Sequence, residues 1–307
     1  MGQNTGDQVT VDVAIIGGGP AGLSAALVLG RALRRVLVVD AGNPRNAAAK
    51  RSHGFLSRDG IEPEALRSLA REELRRYELV EIWHDAVEEV RLIEGRFQVR
   101  ASNGSVANSR VAVFATGMKE RLPEWPGLAD VYGRSVFPCP YCDGWEMRNA
   151  PLALFGGGAS LLAHIKLIHN WTNDLIVCSD GPAELKAEER EQLAQRGIDL
   201  IEQPIAALES IEGQLAHIVF ADGKKVARSG GFMADTGAYQ ASGIPLQLGI
   251  TMDKSGQYRT KGHGRTRIQG LYIVGDAKHG FTGIAGAVGE GYEAGVAINR
   301  ALVDADW

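Results

Sequence analysis

Val11-Asp-Val-Ala-Ile-Ile-Gly17-Gly-Gly19-Pro20-Ala21-Gly22 is a short apolar, β-branched run broken by glycines at a fixed spacing. The run Val11 to Ile16 predicts a buried strand, and the apolar spacing of Leu23 to Leu33 predicts a helix. Arg35 to Asp40 predicts a second strand, completing one βαβ unit. Gly17-x-Gly19-x-x-Gly22 stands at the turn. The first glycine permits the bend, the second lets the backbone approach a pyrophosphate, and the third lets the helix pack on the sheet. The turn, with Pro20 and Ala21, then aims a helix N-terminus at the anion. Asp40 closes the second strand, where a carboxylate can accept hydrogen bonds from a ribose diol.

Working outward, Pro63 to Glu78 carries Leu66, Leu69 and Leu74 at helical spacing with charges between, an amphipathic helix to which no function is assigned. Phe97 to Arg100 and Val111 to Ala115 predict strands, with Asn103-Gly104 as a hairpin signal. Two prolines in Leu122 to Gly127 interrupt regular structure and mark a domain crossing. A second strand, glycine turn and helix begins at Pro151 to Phe155 and runs through Gly156-Gly-Gly-Ala-Ser160. The strand Asp174 to Cys178 follows. A return crossing falls near Gly237 to Gly243, and the chain ends with the strand Gly270 to Gly275 and a helix from about Ala285 to Leu302. The expected fold class is α/β, with two Rossmann-like dinucleotide-binding domains, the second inserted into the first. The expected bounds are 1–118 and 243–307 for the first domain and 119–242 for the insert.

The 307 residues and 45% hydrophobic content suffice for two cores. A net charge of -4, with both signs interspersed, offers no basic stripe, so nucleic acid is not expected as a partner. No apolar run reaches the roughly 20 residues needed to cross a bilayer, and Met1 to Gln8 lacks a leader pattern; no membrane association is expected, and the expected location is cytoplasmic. Three cysteines are present, two of them as Cys139-Pro-Tyr-Cys142. In a reducing compartment that spacing reads as a redox pair or a metal half-site. Zinc usually needs four ligands, and no second CxxC or HxxxH occurs, so no metal is expected. Two thiols so spaced meet across one helical turn, and Asp143 beside them can take and return the proton that thiol exchange moves.

The order Gly17-x-Gly19-x-x-Gly22, Ala115-Thr116-Gly117, Cys139-x-x-Cys142-Asp143-Gly144, Gly156-Gly-Gly158 and Gly275-Asp276 resembles low-molecular-weight thioredoxin reductases over nearly the whole chain. Cys-Pro-Tyr-Cys-Asp-Gly-Trp145-Glu146 is similar to a branch that includes dithiol oxidases of the gliotoxin and holomycin type. The resemblance implies an FAD domain interrupted by a smaller domain carrying the cysteines, as a homodimer. It implies Cys142 nearer the flavin as the charge-transfer thiolate, and Cys139 exchanging with substrate. Gly275-Asp276 would hold the ribityl and phosphate groups, and the N-terminus of the helix at Ala285 would face the pyrimidine edge, where charge develops on reduction.

Three features depart from that family. Leu161 stands at the third position of the second glycine motif, where members using NADPH carry a small residue. Ser179-Asp180-Gly181 replaces their His-Arg-Arg, which binds a 2'-phosphate. Gly283-Ile284 replaces an Arg-Gln pair that contacts FAD. The chain ends in Trp307, expected close to the cofactor and able to stack on a flavin of its own chain or of a partner. His53 and His279 lie in loops that the resemblance places near the flavin, and Cys178 reads as a buried strand residue. The reading is an FAD-dependent dithiol/disulfide oxidoreductase with ordinary NADPH use lost, acting on a small dithiol or a thioredoxin-like protein. Its rivals are a thioredoxin reductase with an atypical nicotinamide site and a non-catalytic flavin-binding redox sensor.

Overall fold

The computed structural model describes residues 8–307, so the polar stretch 1–7 lies outside the described residues. The chain divides into two compact units. One comprises residues up to 47, 55–119 and 239–307; the other comprises 48–54 and 120–238. Both are α/β units built on parallel sheets, so the second is an insert in the first. The chain returns to the first unit at 239, and a short segment, 48–54, groups with the second. It folds with the insert, although the chain on either side of it belongs to the first unit.

The first unit holds a seven-stranded sheet. Val80–Trp83, Val36–Val39, Gln8–Ile16, Val106–Phe114 and Leu271–Ile273 are parallel neighbours, and Arg96–Ala101 and Val87–Ile93 continue it as an antiparallel meander. The pleat sends alternate residues to opposite faces. Val13, Ile15, Val36 and Val38 therefore meet the helix Pro20–Arg31, while Ala14, Ile16, Leu37 and Val39 pack with Phe97, Phe114 and Ile273 on the other face. Full burial of each large side chain there stabilises by about 1.5–3 kcal/mol. The first helix starts at Pro20 rather than Leu23, because proline suits the first helical position, where its missing N–H is not needed. It ends at Arg31, and Leu33 beyond it turns to φ +59°.

Register aligns the strand ends. Ile16 stands opposite both Val39 and Phe114, and Phe114 opposite Ile273. The segments that follow, starting at Gly17, Asp40, Ala115 and Val274, therefore emerge along one edge of the sheet.

In the second unit Asp199–Ile201, Leu175–Cys178, Leu152–Phe155, Gly230–Met233 and Val136–Phe137 form a five-stranded parallel sheet. An antiparallel meander of Ile205–Ile211, Gln214–Phe220 and Lys225–Ala227 packs its apolar side on this unit's core. The meander has no counterpart in the sequence reading. Its alternation is masked by charged residues on half-exposed strands. No helix among the described residues is long and apolar enough to cross a membrane.

Candidate functional site

At the carboxyl edge of the first sheet, Gly17 adopts φ +109°, and a Cβ there would stand 2.4 Å from the Ala115 carbonyl oxygen. Only glycine fits that bend. A Cβ on Gly19 would meet nothing within 4 Å, which leaves open space over the turn at the start of the 12-residue helix. The Asp40 carboxyl lies against the backbone of Gly18, its Oδ1 accepting from the Gly42 N–H at 3.3 Å. Thr116 adds a buried hydroxyl with no hydrogen-bond partner in the protein. An open cradle, a helix N-terminus, a carboxylate for a diol and an orphaned buried hydroxyl together fit a dinucleotide pyrophosphate and ribose. Gly17, Gly19, Pro20, Ala21, Gly22, Asp40, Ala115, Thr116 and Gly117 all belong to this edge.

Gly275 and Asp276 join them at the end of Leu271–Ile273. The Gly275 N–H donates to Glu290 Oε2 at 2.7 Å, and Glu290 also pairs with Lys278 and His279. His279 is thus tied to the carboxyl-terminal helix. Asp276 Oδ1 accepts from the Thr282 N–H and hydroxyl at 3.0 Å each, and its Oδ2 pairs with Arg45 Nη1 at 2.8 Å. Arg45 also donates to the Gly280 carbonyl at 2.5 Å and lies 4.9 Å from the Phe281 ring centre. Arg45, Glu290 and Arg71, whose Nη2 is 3.8 Å from Asp40 Oδ2, were not legible as site residues. None belongs to a motif, and only folding brings them to the edge.

The last helix runs Gly283–Asp306, beginning two residues before Ala285. Gly291 packs on Ala21, Gly295 on Val28, and Asn299 accepts from Arg34 at 2.8 Å. The helix therefore starts beside the glycine turn and leads away from it. Its last turn reaches Arg34 and Arg110, which pair with Asp306 at 2.7 and 2.6 Å, Arg110 also facing Asp12 in the middle of the first strand. Trp307 is fully exposed there. The structure does not bring it to the glycine turn of its own chain, which corrects the expectation that the helix ends close to the cofactor.

In the second unit Cys139 follows Val136–Phe137 by one residue and caps the short helix Pro140–Asp143. Both cysteines are free thiols, Cys139 buried and Cys142 more open. The Cys142 thiol and the backbone N–H groups of Cys142 and Tyr141 donate to the Cys139 sulfur, which holds its thiol below the ordinary range, against burial and the Asp143 charge. Burial pushes the Asp143 carboxyl up to about 7; the His53 charge opposes this and the Glu146 charge adds to it. His53 Nδ1 is 3.7 Å from Glu146 Oε1. The structure therefore places His53 beside the cysteine segment rather than within the first unit. Cys178 is fully buried, its thiol pushed up to about 12 by desolvation. Among the described residues no group of three His, Cys, Asp or Glu side chains could hold a metal ion.

The second glycine turn differs from the first. Its helix begins at Leu161, three residues past Gly158, whereas the first begins at Pro20, directly after Gly19. Leu161 is fully buried in the core, so its side chain does not fill the turn, and a Cβ on Gly158 would meet nothing within 4 Å. The second turn thus differs from the first by a delayed helix start rather than by a leucine side chain standing in it. Asp180 is at φ +54°, and its carboxylate accepts from Trp125 Nε1 at 3.0 Å and the Ile205 N–H at 2.6 Å.

Residues 11–291 match the family model of pyridine nucleotide-disulphide oxidoreductases. A "Probable thioredoxin reductase" from Arthroderma benhamiae is 30% identical, the alignment covering 97% of this chain and 81% of that protein. The crystal structure of HlmI is 34% identical with a TM-score of 0.91, covering 100% of this chain and 95% of the other. An oxidoreductase from Agrobacterium tumefaciens is 31% identical with a TM-score of 0.89, covering 96% and 99%.

Proposed function

Because the chain belongs to the pyridine nucleotide-disulphide oxidoreductase family, we propose that this flavin-dependent enzyme moves two electrons between a dithiol or disulfide substrate and FAD through Cys139 and Cys142, without ordinary use of NADPH. The observation that carries the reading is the polarised cysteine pair. Cys139 is favoured as thiolate by three donors and lies next to a carboxyl that titrates near neutrality. A thiolate is the nucleophile of disulfide exchange, and a carboxyl of this kind can hold or release the proton at the pH of the reaction.

The first sheet's edge supplies the binding side. Gly17 to Gly22 and the helix behind them would take the pyrophosphate, Asp40 the ribose, and Gly275-Asp276 the ribityl and phosphate groups. When bound, FAD accepts or supplies the electron pair. Arg45, fixed by Asp276 and the Gly280 carbonyl, puts a cation at that edge.

Loss of NADPH use rests on the second turn. Its helix dipole starts late, and Asp180 puts a negative charge where a 2'-phosphate needs arginine. Electrons would instead be exchanged with oxygen, a second flavin or a protein donor, in a cytoplasmic homodimer. The test is turnover of a small dithiol under air by the purified yellow protein. Turnover that requires both cysteines supports the reading, and turnover that persists in Cys139→Ser and Cys142→Ser overturns it.

A further inference from the structure

The segment 48–54 leaves the first unit, folds with the second and returns within seven residues. It is tightly seated. A Cβ on Gly133 would lie 2.5 Å from the Ala48 carbonyl oxygen, and Ser52 is buried. Its polar payload is His53, whose side chain is 18% exposed and whose Nδ1 faces Glu146 Oε1 at 3.7 Å. Asp143 lies between this pair and the cysteines in its electrostatic contacts: the charges acting on it are those of His53 and Glu146, and its own charge acts on Cys139. Glu146 is three residues past Asp143, in the turn that follows the short cysteine helix, so the two carboxylates and the strap meet at the end of that helix.

We propose that His53 is a positioning residue that sets the charge of Asp143, and through it the protonation of the Cys139/Cys142 pair. The inference rests on thiol exchange at that pair. In exchange, a substrate thiolate attacks Cys139 of the oxidised pair. The substrate–Cys139 bond forms, the Cys139–Cys142 bond breaks, and its electrons stay on the Cys142 sulfur, which can take a proton from Asp143. A second substrate thiolate then displaces Cys139, leaving the substrate oxidised and the pair reduced. An uncharged Asp143 favours the Cys139 thiolate, whereas a charged one opposes it, so the charge on Asp143 governs how readily the reduced pair ionises. Protonated His53 stabilises the charged carboxylate; Glu146 disfavours it. The strap 48–54, part of the second unit, thereby controls proton release at the cysteine pair of that same unit.

The test reads the reduced pair directly. The phosphine-reduced holoenzyme is alkylated with iodoacetamide from pH 5 to 9, and the rate at the Cys139–Cys142 peptide is followed by mass spectrometry. An Asp143 inflection near neutrality is expected in the parent and none in Asp143→Asn. His53→Gln should move that inflection up by roughly one unit, as for loss of a neighbouring opposite charge, and His53→Lys should hold it at or below the parent position. An unchanged inflection in His53→Gln, or equal shifts in His53→Gln and His53→Lys, overturns the inference, since a merely structural role would not depend on charge. Alkylation needs neither substrate nor electron acceptor. Failure of dithiol turnover with the inflection shifted would sink the proposed function alone; turnover with an unmoved inflection would sink the role of His53 alone.

Discussion

A Cβ on Gly22 would stand 2.0 Å from the carbonyl oxygen of Gly17, so the first helix can begin at Pro20 only because this position lacks a side chain. The equivalent pair in the second unit is Gly156 and Leu161, and there the helix begins two positions later in the motif. One motif position thus separates a turn that runs straight into its helix from one whose helix starts later. Two substitutions should separate fold from binding. Gly22→Ala forces the helix off the turn and should destabilise the protein by about 1–3 kcal/mol, visible in thermal melting. Gly19→Leu points into open space, so it should fold normally and purify colourless. Stoichiometric FAD in Gly19→Leu would remove the cradle assignment.

The two cysteines should differ in colour as well as activity. Cys139→Ser and Cys142→Ser should each abolish dithiol turnover. If Cys142 is the sulfur nearer the flavin, Cys139→Ser keeps a long-wavelength thiolate-to-flavin band and Cys142→Ser loses it. Visible spectra of the reduced variants decide this. The reverse pattern would exchange the two roles, consistent with Cys139 being the sulfur that its neighbours favour as thiolate.

Asp143 also predicts a pH-dependent stability. Its folded value of about 7 lies above the ordinary 3.8, so between those values the folded protein keeps a proton that the unfolded chain has released. Stability from this group is therefore fully present below about pH 3.8 and is lost as pH rises through about 7. Asn does not titrate. The melting temperature of Asp143→Asn minus that of the parent should grow from pH 5 to 7.5 and level off above, by roughly 2–4 °C per kcal/mol. A difference that stays flat across this range would mean that Asp143 ionises as freely in the fold as outside it.

The parts of the site that were legible in the sequence are those whose chemistry is local. A strand, a glycine turn and a helix must be contiguous, so Gly17 to Gly22 and Asp40 could be read directly, as could two cysteines within one helical turn. Arg45, Glu290 and the strap bearing His53 come together only through tertiary packing, and no spacing announces them. The misplacement of Trp307 has a different origin. A helix that follows a parallel strand must run back across the sheet, so one starting at the cofactor edge ends at the opposite edge. The direction was implicit in the topology.

The electron donor gives the sharpest test. Leu161 is accommodated by burial, so it is not an obstacle in the turn; the second helix starts late, and Ser179-Asp180-Gly181 offers no cation to a 2'-phosphate. Asp180 is held in place by Trp125 and the Ile205 N–H, which keeps a carboxylate at the position that family members using NADPH give to arginine. Each missing charge-assisted hydrogen bond costs roughly 1.5–3 kcal/mol, and repulsion from Asp180 adds to that, so NADPH affinity should fall by orders of magnitude. Under anaerobic stopped flow at matched millimolar concentrations, a small dithiol should bleach the oxidised flavin rapidly, while NADPH should do so too slowly to support turnover. Replacing Asp180 by Asn should not restore NADPH, because it removes the repulsion without supplying the missing cation. Bleaching by NADPH within milliseconds would show a working nicotinamide site and make the protein an NADPH-dependent reductase.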